Sequence, residues 1–317
     1  MGKISEALKK VMEEREKQKQ LQREAIMRAS VERKEEKSPK ESSPQKAKKI
    51  PLEERFKIKE QLYIVKPKDN SEIDARVVVY SDYSSPISEQ YRILRTNIKS
   101  SLTKARASKK ISTTKPATSP YIFTITSALH GEGKTVTAVN LAVALASDLE
   151  SRVLLIDCDL RNGEIHKLLN LNYKPGLSEI LTGDFDWSVA LHRTLIRNLF
   201  IIPRGQPPSN PSELLGSKKM RLILERLKVE EFTYIILDTP PLLTFTDATI
   251  LGVQTEGVVM VVEAQRTRAH IVKKAKEFLE QTHSRFLGFI LTKVDHYTPD
   301  FYGYYYHYHY KSAGVGS

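Results

Sequence analysis

YIFTITSALHGEGKTVTAVNLAVALA, Tyr121 to Ala146, is the stretch that decides the fold. Its first six residues are apolar or β-branched and read as a strand. Ser127 to Gly133 form a loop with two glycines, and Val136 to Ala146 read as a helix. A glycine-rich loop between strand and helix turns backbone N–H groups onto a phosphate, and the helix N-terminus adds partial positive charge. Within GEGKT, Gly131 to Thr135, Lys134 is placed to reach the β- and γ-phosphates of a nucleoside triphosphate. The Thr135 hydroxyl is placed to ligate Mg²⁺. The nucleotide-binding set is Gly131, Glu132, Gly133, Lys134, Thr135, Val136 and the downstream Arg161. Ala128 stands where the strict pattern wants Gly, so the loop is a variant, and the bland alternative is an incidental glycine-rich turn.

The pattern repeats outward from this loop. VLLID (Val153–Asp157), LFIIP (Leu199–Pro203), YIILD (Tyr234–Asp238), GVVMVV (Gly257–Val262) and FLGFILT (Phe286–Thr292) are short, continuous apolar runs. Such runs are strands covered on both faces. Helical stretches such as Ser212–Leu227 and Ala269–Thr282 lie between them, which predicts an α/β fold with a doubly wound, mostly parallel sheet. Ligands bind at the carboxyl ends of such strands, and acids stand there. Asp238 ends YIIL and can hold Mg²⁺ through water. Asp157 and Asp159 follow VLLI, with Arg161 just after. One Asp after a strand is commonly a helix cap. Two alternating acids beside a phosphate loop point instead to a base or a metal ligand. The catalytic set is Lys134, Asp157 and Asp159, and the metal set is Thr135, Asp159 and Asp238.

The 317 residues suffice for one such domain of about 200 residues plus appendages. Residues 1–29 read as an amphipathic helix with Ile4, Leu8, Val11 and Met12 on one face. Residues 30–84 read as a largely disordered linker, with YIV and RVVVY as short extended pieces inside it. The main domain is set at 85–296, beginning with a helix over 87–98, and 99–119 is a basic connector. Residues 297–317 form a flexible tail. Residues 1–120 hold 29 Lys and Arg against 17 Asp and Glu, whereas residues 121–317 hold 21 of each. The positive excess therefore lies outside the core, as a solvated arm or a contact for an anionic surface, an acidic partner or nucleic acid. No nucleic-acid recognition fold is visible there. No apolar run reaches the roughly 18 residues of a membrane span, and the N-terminus lacks a signal-peptide pattern. One cysteine, Cys158, offers no disulfide framework. A cytoplasmic location is expected.

In this combination the chain resembles the bacterial tyrosine kinases (BY-kinases), relatives of the ParA/MinD ATPases. The resemblance covers roughly residues 85–310. It runs through VLLIDCDLR (Val153–Arg161), PGLSEILTG (Pro175–Gly183), PRGQPPSNPSELL (Pro203–Leu215), YIILDTPPLLTFTDA (Tyr234–Ala248) and FLGFILTKVD (Phe286–Asp295). It implies ATP and Mg²⁺ as cofactors and Asp157 as the better candidate to accept a tyrosine proton, although Asp157 and Asp159 can exchange roles. EQYRILRTNI (Glu89–Ile98) resembles the family's interface motif and implies ring-like self-association through Glu89, Arg92 and Arg95. An i,i+3 salt bridge within the helix is the plainer reading. YGYYYHYHY (Tyr302–Tyr310) holds six of the 14 tyrosines. Tyr302, Tyr304, Tyr305, Tyr306, Tyr308 and Tyr310 are the expected phosphoacceptors, against a sticky aromatic tail, a His tract for metal or a stacking surface.

The opening MGKISEALKK resembles tyrosine autokinases of exosortase-associated exopolysaccharide systems. That implies a separate transmembrane activator, a cognate phosphatase and a place at the inner face of the membrane. Leu129 stands where ParA and MinD carry a second lysine. A partitioning ATPase switch and a nucleotide-stabilised adaptor remain the competing readings.

Overall fold

The computed structural model describes residues 72–108, 119–183 and 185–294. In chain order these form α1 (Val78–Ser81), α2 (Pro86–Ser108), β1 (Tyr121–Ser127), α3 (Lys134–Ala146), β2 (Val153–Asp157), α4 (Ile165–Leu168) and α5 (Leu177–Thr182). A 3-10 turn at Trp187–Ala190 leads into β3 (His192–Arg193) and β4 (Leu199–Ile202). Then come α6 (Pro211–Leu215), α7 (Lys218–Leu227), β5 (Tyr234–Asp238), α8 (Asp247–Gly252), β6 (Val258–Glu263), α9 (Ala269–Gln281) and β7 (Phe286–Thr292).

The seven strands lie in the order β3-β4-β2-β5-β1-β6-β7. Only the β3–β4 pair is antiparallel. All residues of β2, β4 and β5 are buried, as strands covered on both faces must be. Phe123 and Ile125 of β1 face one core with α3, while Ile122 faces a second core with α5 and α7. This is the period-2 alternation of a strand between two helical layers. A third cluster joins β6 to Ala248 of α8 and to Ala275 and Leu279 of α9. The expected doubly wound α/β sheet is thus present. No helix among the described residues is long and apolar enough to cross a membrane.

α3 is the central helix. Every residue from Thr137 to Ala146 is buried, because the sheet lies beneath it and α1 and α2 lie over it. A helix that is apolar all round needs such cover. The outer cover departs from the sequence reading in two places. The supposed linker up to residue 84 already belongs to the fold: RVVVY makes the single turn of α1, not an extended piece, and Val77 and Val79 are buried. Asn140 of α3 explains this. Its side-chain oxygen accepts from Val79 N–H at 3.1 Å, and its amide donates to the Arg76 carbonyl at 2.9 Å. Second, α2 runs to Ser108 through much of the supposed connector, burying Ile98, Leu102 and Ala105 at helical spacing. Burying a side chain the size of Ile98 or Leu102 contributes roughly 1.5–3 kcal/mol. The predicted helix over 212–227 is two helices, because the Ser217 side chain caps a new start by accepting from Met220 N–H at 3.2 Å. The N-terminal helix 1–29 and the tail 297–317 lie outside the described residues.

Candidate active site

The loop from Ser127 to Lys134 curls at the carboxyl end of β1, an interior strand of the sheet. Gly131 and Gly133 have φ of 82° and 86°, the left-handed region that glycine adopts without strain. The first helical bond of α3 runs from Thr137 N–H to the Gly133 carbonyl at 2.9 Å. The N–H groups of Lys134, Thr135 and Val136 therefore have no acceptor inside the helix. No side chain caps this end. The result is a helix N-terminus whose donors are left for an anion.

The Glu132 side chain does not share in this. It is fully buried and accepts from Leu129 N–H at 2.6 Å, Glu263 N–H at 3.3 Å and the Thr267 hydroxyl. It holds the loop's shape, which leaves its backbone alone to face a ligand. β7 braces the loop from the other side. Thr292 donates to the Glu132 carbonyl at 2.7 Å, and Lys293 donates to the Gly131 carbonyl at 3.2 Å. Arg266 lies beside Gly131, where a Cβ would meet its guanidinium at 3.2 Å. Sequence reasoning missed Thr292, Lys293 and Arg266, although the rule that ligand loops gather at strand carboxyl ends points to them.

Opposite this brace stand the acids. β2 and β5 are neighbours in register, with Asp157 directly across from Asp238. Lys134 reaches over both strand ends, its Nζ 3.1 Å from Asp159 Oδ2 and 4.0 Å from Asp238 Oδ2. It also donates to the Thr135 hydroxyl at 3.1 Å. Asp159 holds its own loop by accepting from Asn162 N–H at 2.9 Å. Asp157 accepts from Ile165 N–H at 3.3 Å through one oxygen; its other oxygen has no hydrogen bond, and Asp238 has none within 3.5 Å, only the 4.0 Å ion pair with Lys134. Gly163 packs directly on Asp157, so a Cβ there would lie 2.1 Å from Oδ1. Buried polar atoms without partners are costly, and here they converge on one point beside a phosphate-type loop.

Three carboxylates against one ammonium leave local negative charge, which suits a divalent cation. Thr135, Asp159 and Asp238 fit the donor chemistry of Mg²⁺, which takes hard oxygens and keeps phosphate and water in its shell. Among the described residues no group of three or more His, Cys, Asp or Glu forms an all-protein metal cage.

Burial holds the Asp157 carboxyl well above the usual range, with the Asp238 and Asp159 charges adding to it. Burial likewise raises Asp238 to about 6, against the pull of Lys134 and the Thr135 hydroxyl. For Lys134 burial opposes the charge, but Asp238 and Asp159 outweigh it and hold the ammonium above its ordinary value. A stability consequence follows for Asp238. Its folded pKa of about 6 exceeds the reference value of 3.8, so its contribution is present below pH 4 and lost as pH rises through 6. Asp238→Asn is expected to raise the melting temperature of nucleotide-free protein at pH 7.5. A gain on the order of 2 kcal/mol is expected, vanishing near pH 4. Thermal melts of both proteins at the two pH values check this.

Arg161 makes its described contacts with residues that follow in the chain. Its guanidinium stacks over Phe245 at 4.2 Å, donates to Ser212 at 2.8 Å and pairs with the buried Asp247 at 3.5 Å. Its described contacts anchor the turn after Asp159, which makes it a positioning residue. On α2, Glu89 pairs with Arg92, whose guanidinium lies 4.1 Å over Tyr83. Arg95 donates to the Ala144 carbonyl at 3.0 Å, at the carboxyl end of α3. All three motif residues thus have partners within the chain, including the i,i+3 pair. The six tail tyrosines lie outside the described residues.

A family model described as an AAA domain matches residues 122–286, more than half of the chain. The tyrosine-protein kinase YwqD of Bacillus subtilis is 35% identical over 235 residues, which cover 74% of this chain and 93% of YwqD. The chain belongs to the bacterial tyrosine kinase family. Among solved structures, the kinase domain of the Escherichia coli tyrosine kinase ETK superposes with a TM-score of 0.62 at 30% identity, covering 72% of this chain and 83% of that domain. The tyrosine-protein kinase ptk of Acinetobacter johnsonii is longer: 206 residues match at 34% identity, which is 65% of this chain and 26% of ptk. Within this tyrosine kinase fold Leu129 is packed against the core around Ala128 and Leu242, so no cationic side chain extends from that position.

Proposed function

We propose that this chain is an ATP- and Mg²⁺-dependent protein-tyrosine autokinase that modifies its own C-terminal tyrosine cluster. The observation that carries this reading is the convergence of Lys134, Asp157, Asp159 and Asp238 at the carboxyl ends of adjacent strands, beside an uncapped helix N-terminus. The loop Gly131–Val136 binds the phosphates through backbone N–H groups, and Lys134 reaches the β- and γ-phosphates. Thr135, Asp159 and Asp238 would hold Mg²⁺, which when bound would neutralise phosphate charge. Asp157 orients the tyrosine hydroxyl and accepts its proton as the new O–P bond forms and the β–γ bridge breaks. A free tyrosine titrates near 10, so a carboxylate with a raised pKa is better matched to that proton than an ordinary one. Positioning and charge stabilisation supply most of the rate, as in phosphoryl transfer generally.

The acceptors are Tyr302, Tyr304, Tyr305, Tyr306, Tyr308 and Tyr310, presented to a neighbouring copy in a ring-like assembly that α2 helps to form. A separate transmembrane activator, a phosphatase and control of exopolysaccharide production complete the reading, on the strength of the family resemblance. Transfer between copies has a direct test. An active chain with the six tail tyrosines changed to Phe is mixed with a Lys134→Met chain and ATP-Mg²⁺. Phosphotyrosine on the Lys134→Met tail, located by peptide mapping, is expected. No phosphotyrosine on the Lys134→Met tail, under conditions in which the wild-type chain alone becomes phosphorylated, means transfer within one copy.

A further inference from the structure

β7 is the last strand of the sheet, and among the described residues nothing pairs with its outer edge. It is also the one strand of the sheet without a single buried residue. Phe289 is 44% exposed and Leu291 62% exposed. Beside them runs a cavity of about 420 Å³ between β7 and α2, lined by Ile87, Tyr91, Leu94, Phe289, Leu291 and Val294 among others. A long apolar edge strand left open is a template for pairing, and proteins ordinarily cover or charge it.

We propose that the occupant is this chain's own tyrosine tail, added to β7 as an antiparallel edge strand while it is unphosphorylated. The chain leaves from the groove itself, since Val294 lines it and 23 residues follow. Residues 293–300 make a long connection that contains the turn residues Pro299 and Asp300, enough chain to reverse direction and return along β7. The ten residues Phe301–Tyr310 then exceed the seven of β7. Tyrosine is strand-favouring. Tyr302, Tyr304, Tyr306, Tyr308 and Tyr310 recur at every second position, so in a strand they share one face. Residues 301–310 contain no Asp, Glu, Lys or Arg, which allows them to lie against apolar surface. Each phosphate would add about −1.5 to −2 charges against that surface. Phosphorylation therefore expels the tail and opens the groove beside α2. This is cis sequestration of the substrate, reversed by its own modification, and it rests on the autokinase reading for its trigger.

Hydrogen exchange of the β7 amides, residues 286–292, tests it in the full-length Lys134→Met chain without ATP, so docking is read independently of catalysis. Two full-length comparators carry, in addition, all six tail tyrosines changed to Ser, or the exposed Leu291→Lys. The parent is expected to protect these amides about tenfold or more over both comparators, equally at high and low protein concentration. A peptide of residues 301–311 should bind the serine variant, and its phosphotyrosine form at least tenfold more weakly. Equal protection in parent and serine variant overturns the proposal. So does protection that grows with concentration in every variant, since a second copy then covers the edge. A phosphotyrosine blot of the wild-type chain separates the two readings: tail-dependent protection with no phosphotyrosine keeps the docking and removes the kinase trigger, whereas phosphotyrosine with no protection removes the docking alone.

Discussion

Replacing Lys134 by Met is expected to lower phosphotyrosine formation at least about a thousandfold, with the fold retained. The ammonium is the one cation among the four converging groups, and its side chain is 13% exposed, so solvent cannot replace it. It lies between Asp159, Asp238 and Thr135. Those same contacts align it for a β- and γ-phosphate. Removing it also leaves Asp157 and Asp238 with less compensation, which raises their pKa values further. Asp238, already at about 6, then takes up a proton rather than remaining charged in the interior. The protein is therefore expected to stay folded and inactive. Circular dichroism, melting and a quantitative phosphotyrosine assay on the same preparation check both halves of the statement.

Asp157→Asn is expected to cost about 10²–10⁴-fold in turnover, since an amide cannot accept the tyrosine proton. In the wild-type chain, activity should rise with pH through the raised pKa of this carboxyl, because only its ionised form can act as base. The asparagine variant should lose that limb of the profile. Gly163→Ala probes the same group from behind. A methyl 2.1 Å from Asp157 Oδ1 must displace the carboxylate. A displacement of about 1 Å can cost roughly a hundredfold. The phosphate loop is untouched, so kcat should fall while the KM for ATP stays constant. An equal change in both would mean that Gly163 acts only through general destabilisation of the site.

Much of this site was legible in the chain. Continuous apolar runs gave the strands, and the rule of carboxyl ends put Asp157, Asp159 and Asp238 near Lys134 before any coordinates. The pairing of Asp157 with Asp238 needed the strand order, because the 80 positions between them say nothing about adjacency. The misread parts share one cause: their partners are remote in sequence. α1 is helical and docked because Asn140, some 60 residues on, binds its backbone. Arg161 follows Asp157 and Asp159 in sequence, but its contacts to Ser212, Phe245 and Asp247 needed the fold. Glu132 sits inside the loop motif, but its side chain is claimed by Thr267 and by the Glu263 backbone. α2 shows a different failure. Its Ile98, Leu102 and Ala105 keep helical spacing, but Ser, Thr and Lys between them gave the stretch the composition of a connector.

These four groups are proposed to transfer phosphate from ATP to the chain's own tyrosines. The most direct measurement is to incubate purified protein with ATP-Mg²⁺ and probe for phosphotyrosine, alone and with a cytoplasmic fragment of a candidate membrane activator. The account predicts phosphotyrosine confined to the segment Tyr302–Tyr310, strengthened by the activator and absent from the Lys134→Met chain. ATP hydrolysis with no phosphotyrosine under either condition would contradict it and would leave a nucleotide-driven switch in its place.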